Sequence, residues 1–250
     1  MKVFGLIAVL IVGVLLLSAT KDFPDWRDKD SPANEGPVSS FYIEKTENLT
    51  KVPNMVTAVL ADYRGYDTMF ETVVIFIAGI GIIAVLRNFD EPHSSSVQRE
   101  NNDEVGGLLA RFTCSLILPF IQIFSLYVVA HGHHSPGGGF QGGVMLGASY
   151  ILLALAFGLS KAKERFSERR TMIFAVVGIF IYVGWGVLCL LFGKEFLNYA
   201  ALDSVLPGDA EWARSHSMLI VEIGVAFTVT AIMFSMYSNL STRGRLSKGL

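Results

Sequence analysis

The sequence of 250 residues has little charge. Asp, Glu, Lys and Arg together make up 17% of the chain, with a net charge of −2, whereas an average soluble domain has about 25% charged residues. Hydrophobic residues make up 52%, which excludes disorder as the main state. Because no basic excess exists, the composition gives no electrostatic case for nucleic acid as a partner.

Cysteine is also scarce, and the common catalytic signatures are absent. Cys114 and Cys189 both lie in apolar runs, which argues against a disulfide-stapled secreted domain. The sequence contains no P-loop, no dinucleotide-binding glycine pattern, no Ser-His-Asp constellation and no Cys-x-x-Cys pair. We therefore assign no catalytic residue and expect no cofactor in this chain.

What the sequence does contain is long apolar runs. A bilayer-spanning helix needs about 20 mostly apolar residues, and six stretches qualify: 3–19, 69–86, 107–130, 140–159, 172–192 and 217–237. The predicted fold class is an all-α integral membrane bundle of about six transmembrane helices. For the first stretch two interpretations remain open, a retained helix and a cleaved secretory signal, although Leu17 fits a cleavage site poorly.

The distribution of Lys and Arg predicts the orientation of these spans. The loop after the fourth span and the C-terminal tail are rich in basic residues, whereas the loops after the third and fifth spans are not. The basic segments are expected on the cytoplasmic side, so both termini are predicted to be cytoplasmic, in the cell membrane.

Two units are expected along the chain. Residues 1–88 contain two spans around a long polar outer segment, 89–104 form a polar linker, 105–240 contain four spans, and 241–250 form a basic tail. Polar linkers of this kind commonly separate units that pack independently.

The first polar string that interrupts the apolar pattern is DYRGYDTMFE, residues 62–71. Asp67 and Glu71 are four residues apart, so on a helix they share one face. Two carboxylates there favour holding a proton or a cation between them. A structural alternative is helix capping, with Asp67 or Thr68 as the N-cap and Glu71 completing a capping box.

The second string, HGHHSPGGGFQGG at residues 131–143, joins the third and fourth spans. Its histidines suit a proton relay, because histidine titrates near physiological pH, and the candidates are His131 and His133. A metal site is not predicted, since no Cys, Asp or Glu lies nearby to complete one. The alternative is a polar turn with interfacial histidines.

The third feature is Glu222, within the last apolar stretch. A carboxylate inside a membrane is expensive and by default marks a proton or ion path. By helical rise it lies roughly 7–8 Å from the outer end of that span, so an interfacial position with the carboxyl reaching water is the alternative.

These strings resemble known families. Residues 131–143 are similar to the signature of the MrpB/MnhB subunit of multisubunit Mrp-type sodium/proton antiporters, although that family often has Asn where this chain has His134. Residues 62–71 resemble a motif of the C-terminal part of MrpA and of the small subunit MbhE of membrane-bound hydrogenases, with Tyr63 and Tyr66 replacing phenylalanines. The chain therefore resembles a fusion of an MbhE-like unit and an MrpB-like unit.

The resemblance implies an integral subunit of a sodium/proton antiport module that helps to form the ion path, with Na⁺ and H⁺ as the transported ions. It implies other Mrp-type membrane subunits as partners, either in a free-standing antiporter or in a redox-driven, hydrogenase-like complex. A purely structural scaffold is the alternative. The ion-path candidates are Asp67, Glu71, Glu222, His131 and His133. The motif positions are Asp62, Arg64, Gly65, Pro136, Gly137, Gly138, Gly139 and Phe140.

Overall fold

The computed structural model describes residues 2–31, 34, 36–87, 107–242 and 244, and within these ranges the regular structure is helical, with no strand. The predicted linker at 89–104 and most of the basic tail lie outside the described residues. The helices are α1 (Lys2–Ala19), α2 (Pro37–Thr50), α3 (Met55–Ala58), α4 (Gly65–Leu86), α5 (Leu108–Ala130), α6 (Gly139–Phe157), α7 (Leu159–Arg165), α8 (Glu168–Leu191) and α9 (Ala210–Ser241). A π-helical turn, Val59–Tyr63, precedes α4, and 3₁₀ turns occur at Thr20–Asp22 and Tyr199–Leu202.

Six of these helices, α1, α4, α5, α6, α8 and α9, are long and apolar enough to cross a membrane. The predicted all-α class with six spans is therefore confirmed. Some spans begin earlier than their apolar runs suggest. The last helix starts at Ala210 because Asp209 caps it, its carboxylate accepting a hydrogen bond from the backbone N–H of Trp212 at 3.2 Å.

The described chain forms two compact units, residues up to Lys45 and residues from Thr46 onward. In the first unit, α1 exposes apolar side chains along its whole length, as expected of a helix whose surroundings are lipid or protein. The second unit contains α3 to α9, so residues 46–87 pack with the four later spans. The division at the linker stays a prediction, because it concerns sequence units rather than packing.

Helix α9 is the centre of the second unit and packs against α8, α6 and α4. Small residues let the backbones approach closely, which is how helices associate in membranes. A Cβ atom on Gly178 of α8 would overlap the carbonyl oxygen of Gly224 on α9, and one on Gly147 of α6 would lie 2.9 Å from Met233 Cβ. Larger residues at these positions would push the helices apart.

Hydroxyl groups add hydrogen bonds between these helices. Thr228 Oγ1 donates to the carbonyl oxygen of Ala175 at 2.9 Å, and Thr230 Oγ1 donates to that of Gly143 at 3.0 Å. Both threonines are buried, so each bond satisfies a group that would otherwise be unpaired in an apolar interior.

Ion pairs fasten the segment before α4 to the start of α9. Arg214 Nε donates to Asp62 Oδ2 at 2.6 Å, and the side chain of Asp62 is only 7% exposed. Lys51 Nζ lies 2.7 Å from Glu211 Oε2 in a more exposed pair. At the opposite end of α4, Arg87 pairs with Glu168 at the start of α8.

Candidate functional site

The structure shows where the polar string at residues 62–71 lies and what it contacts. Helix α4 begins at Gly65, and its N-cap residue, Arg64, makes no side-chain capping bond. Neither Asp67 nor Thr68 is the N-cap, because the Thr68 hydroxyl donates instead to the carbonyl oxygen of Leu60 at 2.8 Å. The capping interpretation is therefore wrong, and Asp67, within the first turn, pairs with Arg64.

Asp67 and Glu71 lie on an exposed face of α4. The same face continues along the helix with Val74, Ala78 and Gly81, which are also exposed. Two carboxylates thus occupy one end of a stripe that is otherwise apolar and made of small or branched side chains. Among the described residues from Thr46 onward, nothing else covers this stripe, which we call the α4 face.

The string at 131–143 forms a tight turn followed by the start of α6. We call residues 131–138 the glycine loop. Gly138 has φ of 138°, a conformation that favours glycine, and its N–H donates to the carbonyl oxygen of Val128 at 3.2 Å. A Cβ atom on Gly137 would lie 2.8 Å from that same carbonyl oxygen. The loop therefore folds back onto the end of α5, while Pro136 and Phe140 remain exposed.

Glu222 lies directly beneath the glycine loop and is 9% exposed. A Cβ atom on Gly138 would lie 2.7 Å from its Oε1, and one on Gly132 would lie 2.8 Å from its Oε2. A Cβ atom on Gly139 would overlap the backbone carbonyl of Glu222. The three glycines let the loop approach the carboxyl group this closely.

The surroundings of the Glu222 carboxyl are sparsely polar. The Gly139 N–H and the Thr57 hydroxyl face it, and Oε2 is buried with no hydrogen-bond partner among the described residues. The carboxyl is covered by the chain itself, which contradicts the alternative of a side chain reaching water at the interface. A buried carboxyl of this kind is suited to binding and releasing a proton or a cation.

The two candidate histidines differ in their surroundings. His131 is exposed, and its ring stacks on Tyr127 with 4.1 Å between the ring centroids. His133 is half-buried, and its Nδ1 has no hydrogen-bond partner in the described structure. Burial, aided by the neighbouring histidines, lowers the pKa of His133 below the ordinary value for histidine. His133 therefore stays neutral over most of the physiological range.

Sequence reasoning missed residues that hold the loop in place. The amide nitrogen Nδ2 of Asn54 donates to the carbonyl oxygens of Gly132 and Ser135 at 2.7 and 2.8 Å. The Thr57 hydroxyl donates to Gly132 at 2.8 Å. Locally, Asn54 shows only the signal of an N-cap, since its Oδ1 accepts from the N–H of Val56 at 3.1 Å. Its contacts to the loop cross about 80 positions of sequence, which local pattern cannot reveal.

A further group beside the site is a pair of buried tyrosines near Gly65. The Tyr182 hydroxyl donates to the Gly65 carbonyl oxygen at 2.9 Å, and both Tyr182 and Tyr199 are fully buried. Burial raises the pKa of Tyr199 well above its ordinary value, so this hydroxyl stays neutral. The pair anchors α8 and the 3₁₀ turn at 199–202 to the start of α4.

The candidates thus fall into two groups. Glu222 is gathered with the glycine loop and Thr57 inside the bundle, whereas Asp67 and Glu71 lie on the exposed α4 face. Among the described residues, no group of three or more His, Cys, Asp or Glu side chains is placed to hold a metal ion.

Two family models match the chain side by side. Residues 109–235 match a domain related to the MnhB subunit of the Na⁺/H⁺ antiporter. Residues 30–104 match the MbhE subunit of MBH. The MbhE match ends at residue 104, the last residue of the predicted linker, and the MnhB match begins at residue 109.

Relatives among known proteins carry antiporter names. The chain is 25% identical over 206 residues to the probable A/B subunit of a K⁺/H⁺ antiporter from Rhizobium meliloti strain 1021, covering 75% of this chain and 20% of that protein. It is 27% identical over 134 residues to the putative antiporter subunit mnhB2 of Staphylococcus aureus strain Newman, covering 54% of this chain and 94% of that one. The chain thus spans about a fifth of the Rhizobium protein.

Two solved structures share the fold. A chain of the membrane-bound sulfane sulfur reductase, an archaeal respiratory membrane complex, superposes with a TM-score of 0.69 and 25% identity, covering 96% of this chain and 97% of that one. A chain of the Mrp complex from Dietzia sp. DQ12-45-1b gives a TM-score of 0.71 and 23% identity, covering 99% of this chain and 26% of that one.

The fold and the site together define a multi-pass helical membrane protein with a carboxyl group enclosed beneath a glycine-rich turn. The chain belongs to the family of domains related to the MnhB subunit of Na⁺/H⁺ antiporters, preceded by an MbhE domain. The predicted fusion of these two units is confirmed.

Proposed function

We propose that the chain is a membrane subunit of an Mrp-type cation/proton antiport module and contributes part of the ion path. The observation that carries this proposal is the carboxyl group of Glu222, buried within a span and covered by the glycine loop. An ionisable group inside a span is costly, and such residues mark ion or proton paths. The family match supports the antiporter context.

Na⁺ and H⁺ are the proposed transported ions, and K⁺ is tested beside Na⁺ because the Rhizobium relative is named as part of a K⁺/H⁺ antiporter. Hard cations of this kind bind oxygen ligands such as carboxylates and carbonyls. Glu222, Asp67 and Glu71 supply the carboxylates. His131 and His133 are proposed to carry protons at the mouth of the path, since each lies on the glycine loop.

Partner subunits are proposed to cover the α4 face. Carboxylates exposed to lipid are unfavourable, so Asp67 and Glu71 call for neighbouring protein or water beside them. An apolar groove further along α4, lined by Ala78, Gly81, Ile82, Val85, Leu86 and Leu240, offers a close-packing surface for a helix of such a partner. The passage would then run between subunits.

The proposed setting is the cell membrane, with both termini cytoplasmic, as the distribution of Lys and Arg indicates. In that orientation the glycine loop and the start of α4 face the outside. The ion path in this chain then opens outward, and antiporter-like partner subunits would complete it towards the cytoplasm.

A redox-driven complex is a second candidate host, favoured by one observation. The archaeal respiratory complex contains a chain that matches this one over 97% of its length, whereas the Dietzia chain is about four times larger. The two-unit layout therefore also occurs in a respiratory complex. Purifying the tagged chain from its own membranes and identifying co-purified iron–sulfur or nickel–iron proteins would separate this host from a free-standing antiporter.

The function itself is tested by Glu222→Gln, Glu71→Gln and Asp67→Asn in the whole complex. Dye-based proton flux in everted vesicles is measured on addition of NaCl or KCl. We expect each variant to assemble normally and to lose transport, with the largest loss for Glu222→Gln. Normal transport in all three would instead make the chain a structural scaffold.

A further inference from the structure

The carbonyl oxygen of Gly132 accepts two side-chain hydrogen bonds from the segment before α4. Asn54 Nδ2 lies 2.7 Å and Thr57 Oγ1 lies 2.8 Å from it. The backbone N–H of Asn54 also donates to the carbonyl oxygen of His133 at 3.2 Å. The MbhE-like unit therefore holds the loop of the MnhB-like unit by several bonds, all at the position where the loop covers Glu222.

Asn54 acts as a fixed anchor in this arrangement. Its amide group has two hydrogens, and three oxygens lie within reach: those of Gly132 and Ser135, and Thr57 Oγ1 at 3.0 Å. Its side-chain oxygen caps α3. Every polar atom of this side chain is thus engaged, and none is left to respond to Glu222.

Thr57 has a different position, because one hydroxyl hydrogen faces two acceptors. Its side chain is 3% exposed and faces both the Gly132 carbonyl and the Glu222 carboxyl. A hydroxyl group donates one hydrogen bond and can accept hydrogen bonds from other donors. When Glu222 carries a proton, Thr57 can accept from it and donate to Gly132. When Glu222 is ionised, the stronger acceptor is the carboxylate.

We propose that the Thr57 hydroxyl switches between Glu222 and the Gly132 carbonyl, so that the charge of Glu222 sets how firmly the glycine loop is held. With Glu222 ionised, Asn54 alone retains the Gly132 carbonyl, and the loop loosens. With Glu222 neutral, both donors hold the loop shut. This inference rests on the proposed role of Glu222 in the ion path and makes Thr57 and Asn54 positioning residues for access to it.

Three other titratable groups on the elements around Glu222 are already engaged or neutral. On α8, the Tyr182 hydroxyl donates to Gly65. On the segment before α4, Asp62 is paired with Arg214 of α9. On the loop, His133 is held neutral by burial. Among the described residues, Thr57 and the Gly139 N–H are the donors that face the carboxyl, and the Thr57 hydroxyl can also turn to the Gly132 carbonyl.

The transport test compares Thr57→Val, which keeps the shape and removes the hydroxyl, with Thr57→Ser, which keeps the hydroxyl. Both are measured in the assembled complex, in vesicles given NaCl, across a range of pH. We expect Thr57→Val to move the midpoint of the pH profile upward by about one unit, because an ionised group loses one donor. Thr57→Ser should keep the original midpoint. An unmoved midpoint in Thr57→Val, or an equal shift in both variants, would overturn the switch.

The loop test uses a cysteine at Ser135, labelled with maleimide in the purified complex between pH 7 and 9.5, where His133 stays neutral. Labelling of the parent chain, which has Cys114 and Cys189, gives the background. Asn54→Ser keeps a capping side chain but cannot reach the loop, and we expect about tenfold faster labelling. Unchanged labelling would show that Asn54 does not hold the loop.

Coupling between the charge of Glu222 and the loop is tested by dividing the labelling rate of Ser135→Cys by its rate in the same chain with Glu222→Gln. The division cancels the pH dependence of the thiol itself. We expect the ratio to rise with pH, and to stay flat when Thr57→Val is added. A flat ratio in the presence of Thr57 rejects the switch. This readout needs no ion flux, so it tests the switch separately from the proposed transport role. Failure of the transport role would appear instead as normal ion flux in Glu222→Gln.

Discussion

The two carboxylate regions of this chain differ in what surrounds their carboxyl groups. Glu222 lies on α9, the most buried helix, beneath a loop of its own chain and within reach of Thr57. Asp67 and Glu71 lie on α4 with their side chains exposed, and Asp67 is paired with Arg64, three residues earlier. One site is enclosed by the fold, and the other is open.

The difference shows which part of the path the chain can build alone. An enclosed carboxyl needs close backbone approach, which the glycines at 132, 138 and 139 provide. An open pair within a span needs another molecule beside it, because lipid does not solvate carboxylates. Variants at the enclosed site should therefore change the packing of this chain itself. Variants on the α4 face should change its contacts with partner subunits.

The largest expected effect is at the enclosed site. Gly139→Ala places a methyl group on the backbone carbonyl of Glu222, where neither backbone has room to move. Overpacking usually costs about 1–3 kcal/mol and occasionally more. A clash between two backbone segments belongs at the upper end, so we expect loss of the assembled complex on native gels.

Gly184→Ala is the matched control, because Gly184 also lies in a span and a Cβ there meets nothing within 4 Å. Its assembly should equal that of the parent. If Gly139→Ala assembled equally well, the close approach of loop and α9 described here would be incorrect.

The next effect concerns the ion pair that fastens residues 46–63 to α9. Arg214→Met leaves Asp62 buried and unpaired, which costs about 3–5 kcal/mol and should lower the thermal midpoint of the purified complex. Burial raises the pKa of Asp62, and Arg214 opposes that rise. Without Arg214 the native state binds the Asp62 proton more tightly than the unfolded state. The lost stability should therefore return as the pH falls and disappear as it rises.

Lys51→Met removes the more exposed pair with Glu211 and serves as the comparison. Exposed pairs contribute little, so its thermal midpoint should stay the same at every pH. A pH-independent loss in Arg214→Met would mean that Asp62 is not the group left uncompensated.

The third prediction addresses the open region. Val74→Cys, on the exposed α4 face, should form cross-links to other subunits in native membranes when a bifunctional maleimide is added. Ile83→Cys, which is buried within this chain, should not. Cross-links from both positions, or from neither, would remove the contrast between an open and an enclosed face.

Much of this contrast was visible in the sequence. Hydropathy indicated six spans, and the strings at 62–71 and 131–143 marked both regions. An exposed face could not be separated from a buried one, since α4 beyond Thr72 is apolar on all sides. Helical periodicity then does not say which side another helix covers. That required the packing of α4 against α9.

The partners of Glu222 were less predictable. Its burial depends on a loop about 85 residues earlier, and the loop depends on Asn54, a further 80 residues away. Judged from the adjacent sequence alone, each of these residues is an ordinary turn or capping residue. The predicted capping box at Thr68 was wrong for another reason. Its local pattern fits a cap, but the Thr68 hydroxyl donates to the carbonyl oxygen of Leu60, in the preceding π-helical turn.

The smallest predicted effect lies on the loop itself and concerns His133. Its pKa is lowered because burial and the nearby His131, His134 and His216 disfavour the charged ring. An opened loop exposes the ring and restores an ordinary histidine pKa of about 6.5. Below that pH the open form binds a proton that the closed form resists, so acid should favour opening.

We therefore expect labelling of Ser135→Cys, after correction for thiol ionisation, to rise severalfold between pH 7.5 and 5.5. His133→Gln removes the titrating ring and should abolish the rise, whereas His134→Gln, at an exposed position, should leave most of it. The effect is small because only one half-buried ring is involved. It also has the opposite pH direction to the loosening expected from Glu222. A rise that survived His133→Gln would place the acid-sensitive group elsewhere in the loop.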